Sequence, residues 1–463
     1  MASTNAQAHQ IRSAGIASIA GWAMDLYDLL VILYVASTIG PLLFPAEAPT
    51  LQLALVYASF GVTLLMRPVG SAVFGNYADR HGRKQTMVLA ITGVGIATAL
   101  MGAVPTYDTA GAAAPLIFLM LRLVQGLFVG GVVAATHTLG TETVPKRHRG
   151  LMSGLIAGGG AGVGAILASV VYLIVSKVFP GKAFSAYGWR VMFFTGLLTA
   201  ILSFYVYRRT EESPLWESQA QSVGQPKESE SPLRQVLSAK YAPTLALNVV
   251  VTAGAAALYY LTAGFFPTFL GVNVGMAKQT MAVVLIIANI GVIIGGVLGG
   301  AASDRVGRKP VFLVGGAASF LTIPIFYLAL ARSTSDQVGK ITLLTILMAM
   351  VALAACAPVL IFLNERFPTR VRATGTALSW NIGFALGGMT PTVVALLSPK
   401  LADIPSRLAV GTAIAAALVV VGAFAVGETR HLGLGAHDEG QPEAESDSRT
   451  DQVTGSHAPA AEF

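Results

Sequence analysis

Three ionisable residues stand out because they lie within long apolar runs: Asp25, Asp28 and Arg122. Asp25 and Asp28 are three apart, a spacing that places both on one face of a helix. With 1.5 Å of rise per residue, Asp28 lies about 18 Å into a helix that begins at Ile16. On the same rise, Arg122 lies roughly 30 Å before Glu142. The estimated depths of Asp28 and Arg122 in the membrane overlap, so we expect an acid and an arginine to meet near the middle of a span.

Such a pair can exchange protons and anions. A low-dielectric cavity favours the neutral form of a carboxylate, whereas a nearby arginine favours its charged form. The protonation of the acid then depends on what else occupies the arginine. Gln125, three residues after Arg122, faces the same way and can donate a hydrogen bond to a ligand oxygen. The alternatives are a static Asp–Arg pair between two helices and, for Gln125, an interhelical hydrogen bond.

The composition explains why a charge inside these runs needs a reason. Of 463 residues, 54% are hydrophobic and 11% are charged, and the mean hydropathy is +0.67. A soluble domain carries about 25% charged residues and has too little interior to hide this much apolar side chain. A soluble enzyme and a disordered chain are excluded, and a polytopic membrane protein is indicated. In a membrane, each buried charge costs at least a few kcal/mol.

Cysteine and charge content narrow the class further. Cys356 is the only cysteine, which excludes an intramolecular disulfide and a cysteine-based metal site. The net charge of +7 lies in short clusters between apolar runs, where it sets membrane topology rather than nucleic-acid binding. The glycine-rich stretches lack a Gly-Lys-Ser/Thr ending, so no nucleotide site is predicted.

Apolar stretches long enough to cross about 30 Å of hydrocarbon recur twelve times. We predict helices, because helices satisfy their own backbone hydrogen bonds in lipid. The expected spans are Ile16–Gly40, Ala54–Phe74, Met87–Val104, Leu116–Leu139, Leu151–Val175, Trp189–Tyr207, Thr244–Leu270, Met281–Ala301, Val311–Leu330, Ile341–Leu363, Ala373–Leu397 and Leu408–Val426.

The widest gap between spans divides the chain into two groups of six. We expect a cytosolic tail at 1–15, a six-helix bundle at 16–207, a solvated cytosolic linker at 208–240, a second six-helix bundle at 241–427 and a disordered cytosolic tail at 428–463. Twenty Lys and Arg fall on the side of the N-terminus and eight on the other, while Arg67 and Arg122 fall within spans. This asymmetry predicts that both termini are cytosolic.

Two loop motifs recur in the same slots of both halves. The sequence Gly75-Asn-Tyr-Ala-Asp-Arg-His-Gly-Arg-Lys84 follows span two, and Gly300-Ala-Ala-Ser-Asp-Arg-Val-Gly-Arg-Lys309 follows span eight, 225 residues later. A Glu-x-x-Pro-x-Arg-x-Arg loop begins at Glu142 and again at Glu365, 223 residues later. Two motifs at nearly one offset predict a duplicated six-helix unit with parallel copies.

The loops carry the chemistry of a latch at the cytosolic face. Glycine lets two helices approach closely, Asp can pair with Arg, and Arg can pair with the Glu of the neighbouring half. The alternative is plain positive-inside anchoring, which requires Lys and Arg but no fixed Gly, Asp or Glu. The predicted gate residues are Gly75, Asp79, Arg80, Gly82, Arg83, Glu142, Arg147, Arg149, Gly300, Asp304, Arg305, Gly307, Arg308, Glu365, Arg370 and Arg372.

The repeated Gly-x-x-x-Asp-Arg-x-Gly-Arg-Lys loop resembles the signature of the major facilitator superfamily. Twelve spans in two halves match that all-α fold over nearly the whole chain. Further motifs are similar to those of metabolite:proton and organic-acid:proton symporters: Asp25-Leu-Tyr-Asp28, Arg122-Leu-Val-Gln-Gly126 with Gly130-Gly131, the Glu142 loop, and Trp380-Asn-Ile-Gly383. The chain departs from them at Val132, where such symporters often carry Glu.

The resemblance implies alternating access, with proton coupling by Asp28, Asp25 and Arg122. Asp28 is favoured because Tyr27-Asp28 is similar to the aromatic–Asp pairing in the first helix of the family. When the cavity faces out, Asp28 takes a proton and releases Arg122, which then binds an anionic substrate. Release of both inside restores the ion pair.

Substrate binding is assigned to polar and aromatic residues in three spans. Tyr259 and Tyr260 lie well inside their span, so they are pocket walls or, alternatively, members of an interfacial aromatic belt. The expected substrate-binding residues are Arg122, Gln125, Tyr259, Tyr260, Trp380 and Asn381.

These observations predict a secondary active transporter of the plasma (inner) membrane, a proton-coupled symporter of a small organic acid or related polar metabolite. The alternatives are a proton-coupled sugar carrier, a drug or metabolite efflux antiporter, and a sensor that binds ligand without moving it. Gly160 is followed by Ala161 rather than by the Pro of related antiporters, which disfavours drug efflux. The expected partners are a small-molecule substrate, protons and the lipid bilayer. We expect a monomer without nucleic acid, metal or cofactor, driven by the proton gradient.

Overall fold

The computed structural model describes residues 2–81, 83–142, 144–198, 200–201, 232–432 and 434. Within these ranges every regular element is a helix, and nine segments are long and apolar enough to cross a membrane. The predicted all-helical membrane fold is confirmed.

Each predicted span overlaps one of the helices below, and the eleventh covers a helix in two segments. Residues 199 and 202–207 of the sixth span lie outside the described ranges. The first half contains α1 (Ala2–Leu43), α2 (Pro49–His81), α3 (Arg83–Gly102), α4 (Ala113–Glu142), α5 (Lys146–Val178) and α6, which begins with Trp189–Phe194. The second half contains α7 (Ala242–Asn273), α8 (Lys278–Val306), α9 (Arg308–Ala331), α10 (Val338–Glu365), α11 (Thr369–Gly388, continued by Thr390–Leu396) and α12 (Ile404–Ala425).

The two halves repeat the same helix packing. The second helix packs on the fourth in both halves, α2 on α4 and α8 on α10, and the third also packs on the fourth, α3 on α4 and α9 on α10. Contacts between the halves follow this symmetry, because α5 packs on α8 and α2 packs on α11. The duplication predicted from the loop motifs is therefore visible in the tertiary structure.

Large apolar side chains cover the outside of the bundle. Val314 is 71% exposed, and Leu198 and Phe424 are each 66% exposed. This arrangement suits helices surrounded by lipid, where an apolar exterior costs nothing and polar groups must find partners inside. The buried charges described below are therefore interior features of the helix bundle.

Close contact between the halves depends on glycine. Where α5 crosses α8, a Cβ on Gly158 would lie 2.6 Å from the Cα of Gly296. At the end of the bundle that carries the repeated loops, which we call the motif end, a Cβ on Gly300 would lie 2.5 Å from the carbonyl oxygen of Gly150. Residues without side chains allow these backbones to approach and slide past each other.

The packed structure extends beyond two predicted domain boundaries. A short helix, Pro232–Val236, lies within the predicted linker, and its Val236 is buried in a cluster with Phe367. At the predicted tail, Thr429 is only 3% exposed. Residues 208–231 of the linker and, apart from 434, the tail beyond 432 lie outside the described residues.

Candidate functional site

Among the described residues of the first half, four charged side chains are buried. Asp25 and Asp28 are 5% and 4% exposed, and Arg67 and Arg122 are fully buried. Charges at this depth are costly in a membrane and mark sites of binding or proton transfer. The structure distributes them into two groups, each with one acid and one arginine.

The first group is an ion pair between α1 and α2. The Nη2 atom of Arg67 donates to Oδ1 of Asp25 over 3.3 Å. The Nε and Nη1 atoms of Arg67 and the Oδ2 atom of Asp25 have no hydrogen-bond partner among the described residues. The pair therefore retains the capacity to bind a further polar group.

Arg67 lies on the face of α2 that contacts the second half. Phe60 and Ser71 share this face, because residues 60, 64, 67 and 71 follow the spacing of one helical stripe. The Phe60 ring meets the Tyr260 ring edge-on with 5.2 Å between centroids, and Asn381 Nδ2 donates to Ser71 Oγ over 3.1 Å. Tyr260 is also within electrostatic range of Arg67. Arg67 thus lies where the halves meet.

The second group lies inside the first half. The Nη1 atom of Arg122 donates to Gln125 Oε1 over 2.7 Å, and Gln125 Nε2 donates to Thr98 Oγ1 over 2.8 Å. Asp28 lies within electrostatic range of Arg122. The guanidinium also lies 5.4 Å from the ring centroid of Phe118. These neighbours come from α1, α3 and α4, so the described contacts of Arg122 all belong to one half.

This arrangement differs from the sequence-based expectation that both acids face Arg122. At 1.5 Å per residue, Asp25 lies roughly 27 Å from Leu43, the end of α1. Arg67 lies the same distance from Pro49, the start of α2, so the two side chains are at the same depth. Asp25 therefore has its own arginine at its own depth. Sequence reasoning placed Arg67 within a span but gave it no role; its position in an apolar run was the available signal.

A central cavity of about 40 Å³ lies between the halves. At 10–15 Å³ per water, this volume holds about three water molecules. Its aromatic wall includes Trp22 from α1 and Trp380 and Phe384 from α11. Trp380 stacks on Phe384 with 4.1 Å between ring centroids, and Trp22 meets Trp380 edge-on at 5.6 Å. The structure thus places the predicted pocket residue Trp380 in the cavity wall.

The two predicted tyrosines lie where α7 departs from regular α-helix. A π-helical turn at Tyr260–Gly264 follows Tyr259, and such turns are common at functional sites. Tyr259 lines the central cavity, and Tyr260 is 6.0 Å from Phe384 between ring centroids. The hydroxyl groups of both tyrosines have no hydrogen-bond partner among the described residues. Tyr260 thus contacts two aromatic residues of the cavity wall, Tyr259 and Phe384, and lies within electrostatic range of Asp25 and Arg67.

The other predicted substrate-binding residues lie elsewhere. Gln125 belongs to the Arg122 group rather than to the central cavity. Asn381 joins α11 to α2 through Ser71, and its Oδ1 atom has no hydrogen-bond partner among the described residues. Only Tyr259 and Trp380 of the predicted set are among the residues that line this cavity.

At the motif end, a carboxylate of the second half binds the start of a helix in the first. Asp304 Oδ1 accepts from the backbone N–H of Gly150, and Oδ2 accepts from that of Leu151, each over 2.8 Å. The N-terminus of α5 attracts an anion because its first N–H groups have no partner within the helix and the helix dipole is positive there. This contact joins the two halves.

The arginine and glutamate of these loops pair mainly within one half. Arg308 binds Glu365 over 3.0 Å and Asp304 over 2.9 Å. An Arg–Glu pair across the halves was also expected, and Arg149 of the first half lies within electrostatic range of Glu365. Arg308 bonds Glu365 directly. The reason is that α9 begins beside the end of α10 in the same half. Gly307 allows this start with a φ of +108°.

The remaining predicted gate residues have varied positions. Arg147 and Arg305 are exposed, and Arg372 Nε donates to the carbonyl oxygen of Asn364 over 3.1 Å. The predicted gate residues whose side chains lie outside the described part of the chain, or which are glycines there, are Gly75, Asp79, Arg80, Gly82, Arg83, Glu142 and Arg370. The first copy of the loop motif therefore has no structural account.

The segment after α12 continues this network. Glu428 accepts from the backbone N–H groups of Arg308 and Lys309 over 2.9 and 3.0 Å, and Thr429 donates to Glu365 over 2.7 Å. Partial burial raises the pKa of Glu428, but four backbone N–H donors outweigh burial and hold the pKa below its usual range. The described tail residues thus stabilise the start of α9.

The Major Facilitator Superfamily model matches residues 14–391. The chain belongs to this superfamily. It is 29% identical over 398 residues to the proline/betaine transporter of Escherichia coli K12, covering 84% of this chain and 78% of that protein. It is 30% identical over 430 residues to the inner membrane metabolite transport protein YhjE of the same organism, covering 90% and 94%. The shikimate transporter is 28% identical over 396 residues, covering 83% and 87%.

Solved structures show the same fold. The proton:xylose symporter XylE, bound to a bromodeoxyglucose, superposes with a TM-score of 0.72 at 16% identity, covering 93% of this chain and 99% of that one. The fold is therefore the twelve-helix, two-bundle arrangement of the superfamily. The chain is a multi-pass membrane transporter rather than an enzyme, and transport of this kind needs no cofactor.

Proposed function

We propose that this transporter is a proton-coupled symporter that takes up a small solute with a carboxylate, an organic acid or a zwitterion, by alternating access. The observation that carries the proposal is the pair of buried acid–arginine groups in the first half, in a molecule whose two halves together enclose a central cavity. Such charges are expensive in a membrane and are retained where they bind ions or protons.

The relatives support a substrate with a carboxylate. Their names include proline, betaine, ectoine, pipecolic acid and shikimate, each of which carries one carboxylate group. All of these except shikimate are zwitterions. Aromatic faces attract ammonium groups, so the wall formed by Trp22, Trp380 and Phe384 favours a zwitterion.

In the proposed cycle, Asp28 and Arg122 couple transport to protons. Protonation of Asp28 removes the negative charge near Arg122, and loss of the proton on the other side of the membrane restores the attraction. Gln125 holds the guanidinium in place during this exchange through its 2.7 Å hydrogen bond. Asp25 is proposed to titrate in the same way beside Arg67. Net uptake then follows the proton gradient.

The motif end is proposed to be the cytosolic gate. For this end to open, Asp304 must leave the N–H groups of Gly150 and Leu151, and Gly300 must separate from Gly150. The other loop residues predicted from the sequence are proposed to belong to the same gate. The charge asymmetry of the loops supports cytosolic termini, and we propose an inner-membrane monomer.

Uptake into proteoliposomes tests this function. Labelled proline, glycine betaine and shikimate are offered with and without an inward proton gradient, and accumulation that requires the gradient supports symport. Asp28→Asn is expected to abolish accumulation, whereas Asp336→Asn, the same change in an exposed loop, leaves it intact. Flux that ignores the gradient contradicts the proposal. Binding without flux identifies a sensor instead, and uptake of xylose alone identifies a sugar carrier.

A further inference from the structure

We propose that Arg67 binds the carboxylate of the transported solute, and that Asp25 holds its guanidinium when no solute is bound. This inference rests on the transport function proposed above and specifies its site. It gives Arg67 the substrate-binding role that the sequence suggested for Arg122.

The position of Arg67 is the first argument. A solute that crosses by alternating access must bind where both halves can close around it. The residues before and after Arg67 on its face of α2 contact the second half, Phe60 through Tyr260 and Ser71 through Asn381. A Cβ on Gly388 of α11 would likewise overlap Leu64, one turn before Arg67. Arg67 is therefore presented to the interface.

The free hydrogen-bonding capacity of Arg67 is the second argument. A guanidinium carries five N–H donors and binds carboxylates with two of them at once. Nη2 of Arg67 donates to Asp25, while Nε and Nη1 have no partner among the described residues, although the side chain is fully buried. Buried donors of this kind gain most from an anionic ligand.

The neighbourhood provides a place for the rest of the solute. Trp22 lies one turn before Asp25 on the same face of α1 and forms part of the wall of the central cavity. Tyr260 connects Arg67 to Phe384 on the other side, with 6.0 Å between the two ring centroids. The cavity holds about three waters, so it must widen to admit a small zwitterion, which then places its carboxylate at Arg67 and its cation against the aromatic wall.

Position, rather than free hydrogen-bonding capacity, separates Arg67 from Arg122, whose Nε and Nη2 atoms also have no hydrogen-bond partner among the described residues. Its guanidinium is bonded to Gln125 and lies near Phe118, and the Phe118 ring packs against Phe44 and Phe193 of the same half. A solute at Arg122 would lie within one bundle, out of reach of the second half. The geometry therefore suits Arg122 to the proton and Arg67 to the carboxylate.

The test is a thermodynamic cycle that compares a ligand with a carboxylate and a ligand without one in two proteins, the wild type and Arg67→Gln. Binding to purified full-length protein is measured by calorimetry for proline and prolinol, glycine betaine and choline, and shikimate and its methyl ester. Each second ligand keeps the body of the first but lacks the free carboxylate. For the pair that binds, the wild type is expected to prefer the carboxylate by about 100-fold, as for a buried charge pair. Arg67→Gln is expected to reduce this preference to less than about 5-fold.

Arg122→Gln is the matched comparison, because it removes an equally buried arginine by the same change. It is expected to retain the preference for the carboxylate. An Arg67→Gln protein that keeps the preference, or an Arg122→Gln protein that loses it, overturns the inference. A wild type that binds none of the carboxylates overturns the proposed function itself, so the two failures are distinguishable.

Asp25→Asn provides a second measurement that a purely structural pair would not produce. Removing the competing carboxylate is expected to tighten binding of the carboxylate ligand by about 10-fold and to leave binding of its partner ligand unchanged. This variant also serves if Arg67→Gln does not fold. Equal weakening of both ligands by Asp25→Asn would show that the pair only supports the fold.

Discussion

Two arginines with the same burial occupy different surroundings in this transporter. Arg67 shares a helix face with residues that contact the second half, whereas the described contacts of Arg122 lie inside the first. Both are fully buried and each lies near one acid. Burial marks both arginines as candidate functional charges, and we propose that their position relative to the interface between the halves separates solute binding from proton coupling.

The largest expected effect separates these two roles directly. Arg122→Gln is expected to abolish accumulation driven by the proton gradient and to leave solute exchange without a gradient within about 3-fold of wild type. Arg67→Gln is expected to reduce both activities by about 100-fold, because exchange also requires bound solute. Uptake and counterflow in the same proteoliposomes measure both. Arg407→Gln, at an exposed position, is the control, and equal loss of exchange in both variants would erase the distinction.

A stability measurement sharpens the account of the Asp25–Arg67 pair. Asp25→Ala leaves a buried arginine without its acid and is expected to cost about 3 kcal/mol of unfolding free energy. Adding Arg67→Leu removes the unpaired charge and is expected to recover most of that loss. Denaturant unfolding in detergent gives these values. A double variant less stable than Asp25→Ala alone would contradict the view that the unpaired charge causes the cost.

The aromatic wall is expected to have a smaller effect. Trp380→Leu removes a ring from the cavity and is expected to weaken glycine betaine by about 10-fold, because a desolvated cation–π contact contributes about 1–2 kcal/mol. Trp380→Phe keeps an aromatic face and is expected to weaken the binding of glycine betaine less. The isostere 3,3-dimethylbutanoate supplies the control, since an uncharged tert-butyl group replaces the trimethylammonium cation while the carboxylate is kept. Equal losses for both ligands would show that the ring contributes only apolar contact.

The smallest effect is expected at the motif end, where water screens charge. Glu428→Gln is expected to cost less than about 1 kcal/mol at neutral pH, because Glu428 is partly exposed. The folded protein lowers the pKa of Glu428, so its stabilisation is present above the unfolded pKa and is lost as the pH falls through the folded value. Melting of both proteins between pH 7 and pH 3 checks this. A stability difference between the two proteins that grows as the pH falls would contradict this prediction.

Much of the fold could be predicted because the signals are local. Apolar runs of about 20 residues give spans whatever their neighbours are, since lipid requires each helix to satisfy its own backbone. The repeated loops at Gly75 and Gly300 indicated duplication, which the equivalent helix pairs now display. The extent of order near Val236 and Thr429 was not predicted, because short polar segments become ordered only through what they touch.

The site was predicted in part for the same reason. Asp25, Asp28 and Arg122 were recognisable because an ionisable group in an apolar run is costly wherever it points. The pairing of Asp25 with Arg67, the placement of Gln125 beside Arg122 and the bond from Arg308 to Glu365 depend on which helices are neighbours. Helix periodicity gives a face, but not the helix that it meets.

The resemblance of the motifs to a known family implied transport. The sequence alone determined that this protein is a helical membrane protein built from a repeated unit, with charges at membrane depth. These properties follow from hydropathy and spacing, which act within one helix. The tertiary structure decided which arginine faces the other half, which acid it binds and where the aromatic wall lies. Those properties depend on contacts between residues far apart in the chain, such as Ser71 with Asn381, and packing alone brings such residues together.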